Sequence, residues 1–418
     1  MVGAHQTLER PAQVPASRDR NFLRYLGGVA AADVGDQAWL TVLAWTAAQT
    51  GRPVAATLVL AAGTVPRAVL ALVGGAVADR LPSRPLLIGA NGVRVLVLLA
   101  GVAGLLGLPG HTLAVAVGVA VLFGAADALH IPAIGTMPRQ LVDGSQLLRA
   151  ASMRQLVQRL ASIAGPSAAG FVLAAVKLPG ALLGLAALFA VAAVLLTTVR
   201  IRHPRDESVD QPVLASIRDV LGYLRRDRNA GGLVLALVGL NVFVIPVVSA
   251  GVALRAHEQS WGPETLGLLL GAVGLGAVVG TVCTLRIRPT HPLAFALLML
   301  MLQGGALAVV GAAPLVGVGV ALGVVGLTSG LASPLLSGTL QATVEQVYLG
   351  RVFALISLSD NGLIPLSLVG FGALSGGIGV GTTSLLFGAA MVLLMFSAFV
   401  RPTLRRLRVD EAAGTLAD

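Results

Sequence analysis

The 418-residue chain reads as an all-α membrane protein, with twelve transmembrane helices in two pseudo-symmetric six-helix bundles. Three observations predict this. Hydrophobic residues make up 56% of the sequence and charged residues only 11%, where a soluble domain carries about a quarter charged. Apolar runs of spanning length, about 20 residues each, recur twelve times. The segments that follow the fourth and the tenth run echo each other. This composition excludes a soluble enzyme, a nucleic-acid-binding domain and a disordered chain, because too little polar surface exists to face water.

The first six runs fall at 22–48, 54–78, 85–107, 112–131, 155–176 and 178–199. The second six fall at 229–253, 263–284, 292–312, 314–337, 353–375 and 380–400. They divide the chain into an N-terminal tail (1–21), an N-terminal bundle (22–200), a linker (201–228), a C-terminal bundle (229–401) and a C-terminal tail (402–418). The first twenty residues are polar and hold no apolar signal-peptide core, so the N-terminus is expected to stay in the cytoplasm.

The net charge of +10 comes almost wholly from arginine, Lys177 being the single lysine. Basic residues in short loops orient a membrane protein. Arg80, Arg84, Arg139, Arg149, Arg200, Arg202, Arg205, Arg225, Arg226 and Arg228 fall on one side. Arg286, Arg288, Arg351, Arg405, Arg406 and Arg408 join them, while the opposite loops hold little beyond Arg52, Lys177 and Arg255. This asymmetry places both termini in the cytoplasm of a multi-pass cell-membrane protein. The one cysteine, Cys283, leaves no disulfide framework or cysteine metal cluster.

In the linker, Leu214, Ile217, Val220, Leu221 and Leu224 recur at helical spacing opposite Arg218, Asp219 and Arg225. This pattern predicts a short amphipathic helix, either lying on the membrane face or packed under the bundle. The echo between the halves runs from Thr136 through Asp143 to Arg149, and from Thr339 through Glu345 to Arg351. Internal duplication of this kind belongs to transporters built around a midplane site.

Between the second and third runs stands GAVADRLPSR, residues 75–84. Its Gly75, Asp79, Arg80 and Arg84 match the Gly-x-x-x-Asp-Arg-x-x-Arg-Arg loop signature of the major facilitator superfamily, while Pro82 and Pro85 depart from it. The chain resembles that superfamily over nearly its whole length. GPSAAG (165–170) resembles the Gly-Pro motif of its exporters. GDQAWLTVLAW in the first span, HIPAIGTMPRQLV ending the fourth and GRVFAL opening the eleventh resemble the branch of macrolide-efflux proteins and the enterobactin exporter. The resemblance implies a cytoplasmic latch in which the Asp79 carboxylate reaches the start of the eleventh span, beside Arg351. A carboxylate at a helix N-terminus is stabilised by free N–H groups and the macrodipole. It also implies a gating bend at Gly165, Pro166 and Gly170, although small residues there equally serve plain helix packing.

Ionisable groups inside spans are costly and mark function by default. At about 1.5 Å per residue from the arginine-rich ends, Asp36 lies roughly 21 Å deep, and Arg67 and Asp127 about 18 Å. By the same rise, Arg94, His130 and Asp360 lie about 15 Å deep. Asp33 and Asp36 share one helix face, Asn91 accompanies Arg94, and Asn361 follows Asp360. The expected pairing is Asp36 with Arg94 or Arg67, either as a proton-exchanging site or as a static ion pair. Asp127 and His130, three residues apart, form a second relay candidate, unless His130 only caps the bend before Pro132.

Enzyme signatures are missing. The six histidines are scattered with no HExxH spacing, and neither a Walker-type loop nor a GxSxG elbow occurs. The sequence therefore predicts no cofactor and no metal. It predicts a monomeric secondary transporter in the lipid bilayer whose partners are protons and a small-molecule substrate, with no nucleic acid. The expected activity is proton-coupled efflux of an amphipathic drug, macrolide or siderophore by alternating access. A lipid flippase, a metabolite importer and a non-transporting scaffold or sensor are the alternatives.

Overall fold

A chain this poor in polar surface has to satisfy its backbone hydrogen bonds inside each membrane-crossing segment, and helices do so. The computed structural model describes residues 15–80, 82–202, 213–287 and 289–401; for 71–80, 132, 213–218 and 228 it describes the backbone alone. The outer tail residues, most of the expected linker loop and the side chains of Gly75, Asp79 and Arg80 thus lie outside the described residues.

The first half comprises α1 (Arg20–Ala48), α2 (Pro53–Arg80), α3 (Ser83–Gly107), α4 (Thr112–Leu141) and α5 (Leu147–Thr197). The linker helix is α6 (Val213–Arg226). The second half begins with α7 (Arg228–Pro246), which passes through a π-helical turn at Val247–Gly251 into α8 (Val252–Glu258). It continues with α9 (Pro263–Arg286), α10 (Pro292–Val310), α11 (Leu315–Thr343) and α12 (Gln346–Phe399).

Nine helical segments among the described residues are long and apolar enough to cross a membrane, and the two of 54 residues are twice the necessary length. Each of those two breaks once: α5 at Lys177 (φ 58°, ψ −174°) and α12 at Gly379 (φ 84°, ψ 156°). Counting both arms of each, and adding α1, gives the twelve crossing helices. Asp33, Asp36 and Gln37 make α1 less apolar than its neighbours. The helices overrun the apolar stretches that predict them. α4 continues to Leu141 and α5 starts at Leu147, because hydropathy marks only the lipid-facing length, while the exposed Arg139 and Arg149 extend their charged heads toward water.

Both halves open on the same device. Asp19 accepts the N–H of Asn21 at 2.9 Å to cap α1, and Asp227 accepts that of Asn229 at 2.9 Å to cap α7. Each satisfies N–H groups that the first turn leaves free. Within the first half α1 packs on α5, α2 on α4, and α3 on both α4 and α5. Within the second α9 packs on α11, and α10 on α11 and α12.

The halves meet along two counterpart seams, α5 with α9 and α2 with α12. In the first, a Cβ on Gly170 or on Gly267 would stand only 3.0 Å from the other's Cα, so the helix backbones themselves touch there. In the second, the side chain of Thr57 occupies the space beside Gly372. Both contacts lie toward the end remote from the arginine-rich loops, as does Gly51 beside His257.

The linker helix rests on the second half. Tyr223 of α6 stacks on Tyr348 of α12 with ring centroids 4.4 Å apart and planes 11° from parallel. Asp219 pairs with Arg351 at 3.5 Å. Of the two sequence alternatives for this helix, packing against the bundle is the arrangement seen.

Candidate functional site

Arg94 is the largest fully buried side chain among the described residues, with 1% of its surface exposed. It sits on α3 three residues beyond Asn91, whose Oδ1 accepts a hydrogen bond from the guanidinium at 3.3 Å. The Asn91 amide donates in turn to the Leu87 carbonyl at 2.9 Å. A charge so deep requires partners of opposite sign, and two other helices supply them. Asp127 of α4 accepts a hydrogen bond from Arg94, and Asp36 of α1 lies 3.5 Å from it.

Aromatic rings hold the guanidinium from its other sides. Its centre stands 5.2 Å from the Phe123 ring and 5.0 Å from the Phe189 ring, within cation–π range. Phe123 stacks on Trp39 at 5.0 Å and meets Phe189 edge to face at 5.5 Å. α1, α3, α4 and the second arm of α5 therefore all contribute, and the arginine is immobilised by packing as much as by charge.

One cation faces two carboxylates, leaving the triad with one negative charge in excess when both are ionised. Access is unequal: Arg94 is sealed, whereas Asp36 is 29% exposed and Asp127 19%.

Asp33, one turn before Asp36, interacts electrostatically with Arg154 of α5 and keeps its buried Oδ2 without a hydrogen-bond partner. His130 is buried beside this group but, among the described residues, hydrogen-bonds neither Asp127 nor another side chain. The expected Asp127–His130 pair is thus not assembled here, because Asp127 is already engaged by Arg94. Sequence spacing ties Asp127 to its own helix neighbour; only tertiary packing gives it to α3.

The second half carries a smaller polar group. Asn241 of α7 donates to Asp360 Oδ2 of α12 at 2.9 Å, and Ser367 donates to the Val242 carbonyl at 2.5 Å. Asn361 is partly buried and makes no such bond. Arg67 on α2 faces Asp36 and Asp360 electrostatically but comes within 4.0 Å of no carboxylate among the described residues.

Of the expected latch residues, Arg84 and Arg351 have described side chains, and each engages a different half. Arg84 donates to the Leu196 and Thr197 carbonyls, closing the end of α5 within its own half, where a cation meets free helix carbonyls. Arg351 pairs with Asp219 and lies over Tyr348 at 6.0 Å. The expected gating residues come together with other elements. A Cβ on Gly165 would stand 2.8 Å from the Val34 carbonyl of α1, and Gly170 meets α9 across the seam between halves. Pro166 lies between them inside continuous helix.

Phe123, Phe189 and Trp39 were not legible as site residues, because an aromatic residue in an apolar run carries no mark separating a cation cage from ordinary core. Arg154 and Asn241 had a signal: each is a polar residue within or beside a span.

The family model of the Major Facilitator Superfamily matches residues 26–368. An uncharacterised MFS-type transporter of Bacillus subtilis (strain 168), YfiS, is 27% identical over 285 residues, covering 64% of this chain and 67% of its own. The crystal structure of a variant of the nucleoside transporter NupG superposes with a TM-score of 0.71 at 14% identity, covering 91% of this chain and 99% of that one. That of a D-xylose–proton symporter does so with a TM-score of 0.70 at 13% identity, covering 93% and 98%. Their different cargoes show that the fold sets no particular substrate. The helix count, the paired seams and the match over most of the sequence agree: this chain is a multi-pass membrane transporter, not an enzyme, and it belongs to the major facilitator superfamily.

Proposed function

We propose that the protein is a proton-coupled exporter of an amphipathic organic compound, a drug, macrolide or siderophore, working as a monomer in the cell membrane. The observation that carries this reading is the Arg94 triad. One guanidinium set between Asp36 and Asp127 leaves a single excess negative charge in a water-poor site, and a proton on either acid cancels it. Both acids keep an exposed portion, as a proton-exchanging group requires.

Alternating access supplies the rest of the cycle. The seams at Gly170–Gly267 and Thr57–Gly372 close the end remote from the arginine-rich loops. With those loops in the cytoplasm, this form offers its interior to the cytoplasmic side, where a compound bound for export enters. Rocking about the seams then presents the triad and the compound to the other side, where protons are more abundant. Asp79, at the end of α2, is the proposed latch of that second form. The export direction rests on the likeness of GPSAAG to the exporter motif and on the placement of that segment at the seam.

The test is transport in proteoliposomes with an imposed pH gradient and a panel of amphipathic compounds, comparing wild type with Asp36→Asn. Compound-driven proton flux in wild type and its loss in the variant support the reading. Proton flux unchanged in Asp36→Asn removes Asp36 from the mechanism.

A further inference from the structure

Arg67 of α2 and Asp360 of α12 stand in opposite halves, on helices that run antiparallel along one seam. From the Thr57–Gly372 contact, Arg67 is ten residues along α2 and Asp360 twelve residues back along α12. At the helical rise these are about 15 Å and about 18 Å in the same direction, so the two groups share one depth. Each retains an unused polar atom. Arg67 Nε and Asp360 Oδ1 are both buried without a hydrogen-bond partner, although Asn241 holds the other Asp360 oxygen.

An unsatisfied buried polar atom is costly, and a buried charge more so. Arg67 has one charge and two claimants, Asp36 in its own half and Asp360 in the other. It is paired closely with neither, since no ion pair within 4.0 Å joins it to a carboxylate among the described residues. The balance between the claimants depends on the triad. With both acids ionised, the excess negative charge around Arg94 attracts Arg67 toward the first half. A proton there leaves Asp360 as the remaining unneutralised acid facing it.

We infer that Arg67 is a transferable counter-ion, drawn to Asp36 when the triad is ionised and to Asp360 across the seam when the triad is protonated. The inference rests on the proton-coupled reading above and adds the part that converts protonation into movement of one half against the other. Arg67 is a positioning residue here, acting through the two acids. A long, permanently charged side chain suits the exchange, because its head can swing between acids without losing its own proton. Among the described residues, the other ionisable groups recorded around the triad are Asp33 and, beyond it, Tyr25 from α1, His130 from α4 and Arg154 from α5, all of the first half. Among the described residues of the second half, Asp360 faces Arg67 electrostatically, and its hydrogen-bond partner on α7, Asn241, is neutral.

The test follows inter-half distance and proton uptake separately in full-length protein in nanodiscs. Gly144→Cys and Gly350→Cys, at positions where a side chain meets nothing within 4 Å, carry spin labels in a Cys283→Ser background. Distances are read by double electron–electron resonance at acid and alkaline pH, and a pH-indicator dye reports proton uptake. Wild type should shift its distance distribution with pH, and Asp36→Asn should hold the acid distribution at both values. Asp360→Asn and Arg67→Gln should still take up protons but lose the shift, while Arg67→Lys should keep a reduced one. A wild-type shift in both Asp360→Asn and Arg67→Gln, with uptake intact, overturns the inference alone. Absence of proton uptake in wild type overturns the proton-coupled reading and this inference with it.

Discussion

Arg94 of α3 lies 3.5 Å from Asp36 of α1 without forming a hydrogen bond to it. The attraction is Coulombic and leaves the buried Asp36 Oδ1 without a hydrogen-bond donor. Asp127 on the other side takes the direct bond. The two acids are thus unequal partners of one cation, and the looser of them is also the more exposed.

Removing Arg94 should therefore do more than remove a contact. Arg94→Gln leaves two partly buried carboxylates without their cation, and breaking a fully buried pair, the upper bound here, costs about 3–5 kcal/mol. The combined Arg94→Gln, Asp127→Asn variant removes part of that repulsion. Thermal unfolding in detergent should show it less destabilised than the sum of the single variants, with transport abolished in both Arg94 variants.

The Gly170–Gly267 contact predicts a position-specific effect of bulk. Gly170→Val drives a branched side chain into the backbone of α9 and should lower transport at least about tenfold, equivalent to about 1.4 kcal/mol. Gly89→Val, where a side chain meets nothing within 4 Å, should transport near the wild-type level once expression is matched. Uptake assays on inverted vesicles give both values.

The breaks in α5 and α12 differ in cost. Lys177 holds a backbone conformation that glycine alone adopts without strain, and Gly379 holds its counterpart. Lys177→Gly should raise stability by about 1 kcal/mol, and Gly379→Ala should lower it by a similar amount. Melting temperatures of the purified variants check the opposite signs.

The linker helix offers a test remote from the site. Tyr223→Ala removes the stack on Tyr348, worth about 0.5–1.5 kcal/mol beyond the buried area. Limited proteolysis should then cut between the halves faster than in wild type. Tyr223→Phe keeps the ring and should be cut at the wild-type rate.

Much of this architecture is legible in the sequence because apolar length is a direct demand of the bilayer. The twelve runs and the paired halves follow from counting residues along helices, and so does the shared level at which Asp36, Arg94 and Asp127 meet. Counting fails where one helix meets another. That Asp127 belongs to Arg94 rather than to His130 depends on how α3 packs on α4. That Phe123 and Phe189 enclose the guanidinium depends on four helices at once. Arg84 carries the family loop signature, yet the bond it makes here is to α5, because the free carbonyls at Leu196 and Thr197 lie within its reach. GPSAAG was readable as small residues at helical spacing, but the helix it faces was not, since only the fold brings α9 to it.

The most direct test of the central claim separates movement of the compound from movement of the proton. In proteoliposomes, Asp36→Asn and Asp127→Asn should retain equilibrium exchange of labelled for unlabelled compound while losing accumulation driven by a pH gradient. That pattern assigns the proton to the Arg94 triad. Gradient-driven accumulation at the wild-type level in both variants would contradict it.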